Sequence, residues 1–227
     1  MWAVYKKELK SYFLSPIGYV VVGVLLFVCT VFFYLTTIRN SSVDLGGLYL
    51  CTVLYGFMII IPILTMRMFA EERKNGTEQL ILTSPVSMVS VVFGKFLAAM
   101  SVIVVALLIS FMYFGIVSYF GNPNIIVLLV TMLGFLLVSG AAIAFGMFAS
   151  SITENQIIAG IITIAFLIMS LFVPDLGKGF PDISIVNFYQ YFPNGVISLT
   201  EVVGSISFAA MFMAFTIIVM QRRKLVK

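Results

Sequence analysis

Between Arg67 and Lys95 the chain gathers Glu71, Glu72, Arg73, Lys74 and Glu78, and these are the residues best placed to do chemistry. The chemistry open to them is narrow. The sequence has no histidine, the commonest general base and metal ligand, and no cluster of cysteines or carboxylates replaces it. No paired carboxylates and no lysine lie deep within an apolar run, so the usual nucleophile and base combinations of an intramembrane enzyme are missing. What remains is recognition. A charged interlude set between two long apolar runs is the place equipped to meet a soluble partner and to receive energy delivered from outside the chain.

The elements that hold this interlude are hydrocarbon-like. The 227 residues are 62% hydrophobic and 10% charged, with a mean hydropathy of +1.16, far from the fractions of soluble domains. From Phe96 to Thr153 no Asp, Glu, Lys or Arg occurs over 58 positions, nearly three times the roughly 20 residues of one bilayer crossing. Two helices must share that stretch, and Gly121-Asn122-Pro123-Asn124 is the natural break, because Pro cannot continue a helix and Gly and Asn tolerate turns. Charge-free intervals read this way give six spans, at about 17–38, 47–68, 91–119, 125–149, 155–173 and 203–221. The expected class is an all-α polytopic membrane protein with a single permease domain over 1–227. A strand barrel is disfavoured, because the runs are continuously apolar rather than alternating.

Eleven of the thirteen basic residues fall on one side if the N-terminus is cytoplasmic, leaving only Arg39 and Lys178 outside. The positive-inside bias then puts both termini in the cytoplasm. It also accounts for the pI of about 9.1 with no nucleic acid as partner. Lys6, Lys7 and Lys10 precede an apolar run, but that run is longer than a signal h-region and lacks a small-x-small site, so it stays as a first span. Trp2, Tyr5, Leu9, Tyr12 and Phe13 share one side of a helix over 1–15, which reads as an interfacial amphipathic helix ending at Ser15-Pro16, or else as a continuation into span 1. Cys29 and Cys51 read as small hydrophobes inside spans. Pro62 favours a kink near the inner end of span 2, either a hinge or a static bend. Lys95 sits toward the inner end of span 3, where it can snorkel.

Phe69 to Lys74 extends span 2 inward, and Asn75-Gly76 supplies left-handed residues that stop it. Thr77 then caps a new helix, Glu78 suits its positive end, Leu80, Ile81 and Leu82 make an apolar patch, and Thr83-Ser84-Pro85 ends it. About two turns result, marginal in water without something to pack on. That something is either the membrane surface and bundle or a partner. Thr153 with Gln156 reads as a capping box opening span 5. Asp175 to Glu201, rich in aromatics such as Phe180, Phe188, Tyr189, Tyr191 and Phe192, reads as an outer interfacial or re-entrant segment, serving as an aromatic belt or as a surface for substrate. Three spans followed by three would invert the halves, but no internal repeat is visible.

The run from Ala70 to Ser87, Ala-Glu-Glu-Arg-Lys-Asn-Gly-Thr-Glu-Gln-Leu-Ile-Leu-Thr-Ser-Pro-Val-Ser, resembles the signature cytoplasmic loop of ABC-2-type transporter permeases. Ser150 to Gln156 and Pro193 to Leu199 are similar to the branch that includes the gliding-motility-associated permease. The resemblance implies that 70–86 carries a coupling helix seated in a cleft of an ATP-binding cassette subunit. Glu72, Gly76, Thr77, Glu78, Leu80 and Ile81 would lie at or beside that contact, with Thr153 and Glu154 in the second cytoplasmic loop. It further implies a homodimer or a heterodimer with a related permease in the lipid bilayer of a bacterial cytoplasmic membrane, acting as an exporter. No Gly-x-x-x-x-Gly-Lys-[Ser/Thr] phosphate loop occurs, so the chain is expected to carry no cofactor, with ATP and Mg on the partner. An ion-coupled carrier or channel usually needs ionisable groups inside its spans, which are lacking here. A structural anchor of a motility or secretion machine is also compatible with the sequence, which names no substrate.

Overall fold

The computed structural model describes residues 1–83, 86–172 and 184–226, and among them every regular element is helical. Helix α1 (Trp2–Leu14) stops at Ser15, which is extended, and Pro16 opens α2 (Pro16–Phe32), since proline's missing N–H costs nothing in a first turn. A Cβ on Gly18 would run into the Tyr12 carbonyl, so a glycine is what lets the chain fold this tightly from α1 into α2. α2 continues through π-helical turns at Phe33–Ile38. Next come α3 (Gly46–Cys51), π-helical turns at Thr52–Gly56 and α4 (Phe57–Thr65). Two short helices follow, α5 (Ala70–Lys74) and α6 (Glu78–Thr83). The remainder are α7 (Met88–Ser110), α8 (Met112–Phe120), α9 (Ile125–Ile152), α10 (Gln156–Phe172) and α11 (Leu199–Val226).

α9 is the hub, packed against α4, α7, α10 and α11. Its C-terminal half is built from Gly140, Ala141, Ala142, Ala144, Gly146, Ala149, Ser150 and Ser151, all buried. Small residues let helix axes approach closely where lipid supplies no hydrophobic drive for association. At Gly146 the approach is closest, because a Cβ there would meet the Thr65 side chain of α4. Along the other face Phe145 stacks on Phe166 of α10 at 3.6 Å, and Phe212 of α11 meets Phe145 edge-on at 5.0 Å.

Among the described residues five helical stretches are long and apolar enough to cross a membrane: Pro16–Ile38, Gly46–Lys74, Met88–Phe120, Ile125–Ile152 and Leu199–Lys224. The fifth interval read from sequence, 155–173, is represented by the shorter α10, Gln156–Phe172. Both termini lie at one end of the bundle, since Glu8 of α1 and Arg223 of α11 each bond to groups that flank α5.

At the opposite end the chain from Ser184 to Ser198 folds back onto the bundle in two short 3-10 turns. Phe188, Tyr189 and Phe192 are buried. The Tyr189 hydroxyl donates to the Thr131 carbonyl at 3.1 Å, and the Thr131 hydroxyl donates to the Phe192 carbonyl at 3.1 Å. A belt of exposed rings is therefore not what these three form, and the Tyr189 hydroxyl and the Phe192 carbonyl find partners on α9 instead. Tyr191 is the ring left exposed. Residues 173–183, with Lys178 and Phe180, lie outside the described residues.

Candidate functional site

The end carrying the termini is where the charged interlude folds. α4 and α5 do not join smoothly, because the chain turns through Met66 to Phe69 and Phe69 leaves helical geometry at φ −122°. Ser150 of α9 fills the break. Its hydroxyl donates to the Met66 carbonyl at 3.2 Å and accepts from the Phe69 and Ala70 amides, both at 3.1 Å. Backbone groups left without helical partners must be satisfied locally, and a single side chain does so here. The discontinuity lies one turn beyond Pro62, the residue at which the sequence suggested a kink.

α5 is fastened on both sides. On one side Lys95 of α7, only 2% exposed, donates to Glu72 at 2.8 Å and to Glu8 of α1 at 3.1 Å. Its ammonium also lies 5.3 Å from the centre of the Phe69 ring. Lys7 stands farther off, 3.9 Å from Glu8 and 4.0 Å from Glu72. Lys95 therefore does not snorkel to water; two carboxylates compensate its buried charge. Glu72 still has one oxygen, Oε2, that is buried without a hydrogen-bond partner.

On the other side Glu78, the first residue of α6, is gripped by two arginines, Arg73 of α5 at 3.3 Å and Arg223 of α11 at 3.2 Å. The same Arg73 guanidinium donates to the Ser151 carbonyl at 2.8 Å and the Ile152 carbonyl at 3.2 Å. These are unpaired carbonyls at the C-terminus of α9, where the helix dipole also favours a cation. Arg223 adds a longer bond to Ile152 at 3.5 Å. One small network thus joins the base of α6 to α5, α9 and α11.

A cleft of about 330 Å³ runs beside α5, lined by Glu8, Tyr12, Arg67, Glu72, Leu80 and Lys95 among others. Arg67 and Glu71 pair across it with two hydrogen bonds of 2.6 and 2.9 Å. Tyr12 donates to the Leu64 carbonyl at 3.3 Å, and burial, reinforced by Glu8 nearby, holds its phenol above the ordinary range, so it stays a donor.

The residues singled out from sequence divide by exposure. Gly76, Thr77 and Leu80 are exposed, Leu80 to 72%. Glu72 and Glu78 face inward onto the cations just described. Thr153 is half-buried and Glu154 exposed on the neighbouring loop. Ser84, Pro85 and the side chain of Ile81 lie outside the described residues. Three local expectations fail. Asn75 is right-handed, so the stop of α5 rests on Gly76 alone at φ +72°. Thr77 turns its hydroxyl back to the Glu72 carbonyl at 3.2 Å, serving the end of α5. The capping box at Thr153 and Gln156 does not form either: Asn155 caps α10 through the Ile157 amide at 2.9 Å, and Thr153 accepts from the Asn155 amide at 3.1 Å. Asn155 immediately precedes the helix, where its side-chain oxygen reaches that amide directly.

Sequence reasoning missed Glu8, Ser150 and Arg223. Glu8 carried a weak signal, as the one acid among the lysines of α1. The others carried none, since their partners lie far along the chain.

A family model described as ABC-2 family transporter protein matches residues 34–221. A comparison with curated proteins gives no match. With the matched region covering α3 to α10 and nearly all of α11, the chain belongs to the ABC-2 transporter family and is a multi-pass membrane permease of an ABC transporter.

Proposed function

We propose that the chain is the membrane subunit of an exporter, and that it couples ATP hydrolysis on a separate ATP-binding cassette subunit, with its Mg, to movement of a substrate across a bacterial cytoplasmic membrane. α6 is the coupling helix in this reading. The observation that carries it is the contrast within α6: its tip residue Leu80 is 72% exposed while its base residue Glu78 is 7% exposed and clamped between two arginines. An exposed apolar tip on a fixed base suits docking into a groove, because little side-chain order at the base remains to be lost on binding. Gly76, Thr77, Leu80 and Ile81 would make the contact, Glu72 and Glu78 would hold it in place, and Thr153 and Glu154 would flank it. Closure of the ATPase pair would then move α5 and α6 together and tilt α4 and α7.

In the same reading α10 is a sixth crossing, about 25 Å long at 1.5 Å per residue against a hydrocarbon core of about 30 Å. Both termini are cytoplasmic, the whole chain forms one permease domain, and it pairs with itself or a related permease.

The test is binding and ATPase activity with the cognate ATP-binding subunit in liposomes. Leu80→Glu should weaken that complex by about thirtyfold, the loss of one central contact of about 2 kcal/mol. A complex of unchanged affinity whose hydrolysis still responds to substrate would remove α6 from the coupling role.

A further inference from the structure

The bundle's other end holds a buried acid that no cation among the described residues neutralises. Glu201, in the first turn of α11, is 4% exposed. Its Oε1 accepts from the Tyr191 amide at 2.9 Å. Its Oε2 is buried and has no hydrogen-bond partner, and among the described residues no lysine or arginine pairs with it. A buried carboxylate is expensive unless paired and hydrogen-bonded. Beside it opens a cavity of about 580 Å³, lined by Glu201, Gln190, Tyr191, Ser198 and Thr200 among others.

We propose that this cavity binds an organic primary ammonium group, carried either by an aminophospholipid headgroup or by a small soluble amine. The chemistry follows from the lining. An ammonium brings three N–H donors and a positive charge. The Glu201 carboxylate supplies the opposite charge at the cavity wall, and the hydroxyls of Ser198 and Thr200 and the Gln190 amide oxygen can accept the ammonium's donors. The exposed Tyr191 ring offers a face to the same charge. A trimethylammonium group would bring the charge without a donor and leave the acceptors of Ser198, Thr200 and Gln190 unused. The site therefore discriminates ethanolamine from choline. It lies at the end of the bundle away from α6, and its test needs no ATPase.

Native mass spectrometry of the purified full-length chain, incubated with phosphatidylethanolamine, phosphatidylcholine or phosphatidylglycerol, reads the lipid arm. Saturation-transfer NMR with ethanolamine reads the soluble arm. The expected result is a preference for phosphatidylethanolamine over phosphatidylcholine, or saturable ethanolamine binding, of about tenfold, the size of one charge-assisted hydrogen bond. Retention of the lipid without free ethanolamine assigns the headgroup, and binding of free ethanolamine assigns the soluble amine. Glu201→Gln should abolish the preference, because it keeps an oxygen for the Tyr191 amide but loses the charge. Thr200→Phe, which places bulk in the cavity from an exposed position, should do the same without touching Glu201. Wild-type protein that binds neither probe above the other lipids, or variants that bind as wild type does, would overturn the site.

Discussion

Lys95 shows how much one buried charge can decide. It faces Glu8 and Glu72 at 3.1 and 2.8 Å, so Lys95→Met would leave two carboxylates confronting each other without their cation. Removing one partner of a buried ionic group costs about 3 kcal/mol or more, which should appear as a clear drop in thermal-unfolding midpoint in detergent. Lys7, whose side chain is 68% exposed, offers the control: Lys7→Met should change stability by less than about 1 kcal/mol. Gly146→Ala belongs at this scale too. The added methyl meets the Thr65 side chain and should cost about 1–3 kcal/mol, with Thr65→Ala in the same chain recovering part by removing the nearest atom. Lys95 was legible as the charge that bounds the long apolar run, whereas its partners were not, because Glu8 lies 87 positions away and no spacing rule reaches across helices.

The short helices α5 and α6 take their order from neighbours rather than from propensity, as expected of elements too short to persist alone. Arg73 binds both Glu78 and the end of α9, while Arg223 contributes a single short bond to Glu78 and a long one to Ile152. Amide hydrogen exchange in α6 should therefore rise more in Arg73→Ala than in Arg223→Ala. No rise in either variant would mean that α6 is held by something other than Glu78, and an equal rise would mean that the Arg73 bonds to α9 add nothing to its order. Gly76→Ala forces a side chain into the left-handed region at φ +72° and should cost about 1 kcal/mol. The pair of short helices and the glycine between them could be read from Glu72 to Leu80 directly, since stop signals are local. The break before α5 could not, because it depends on Ser150 arriving from α9, 81 residues from Phe69. The capping of α10 failed for a related reason: Thr153, Asn155 and Gln156 all carry capping chemistry, and only the backbone path selects Asn155.

Across the whole molecule the apolar intervals were the most readable feature, because one crossing demands a fixed length of hydrocarbon-like sequence. The burial of Phe188, Tyr189 and Phe192 was less so, as aromatic residues suit an interface and a packed mouth equally well. Sidedness can be checked by labelling single cysteines with a membrane-impermeant maleimide after Cys29→Ser and Cys51→Ser. Glu154→Cys should react only from the cytoplasm and Asp44→Cys only from the far side, and reaction of both from one side would break the assigned topology. The hydroxyl of Ser150 carries one more consequence. Because three backbone groups at the Met66 to Ala70 joint hang on one side chain rather than on a continuous ladder, the joint itself can bend by trading a few bonds of about 1 kcal/mol each. In the proposed coupling role a stroke at α6 need not unwind any turn, and Ser150→Ala should leave that swivel slack, so that force applied there would be dissipated before it reached the membrane.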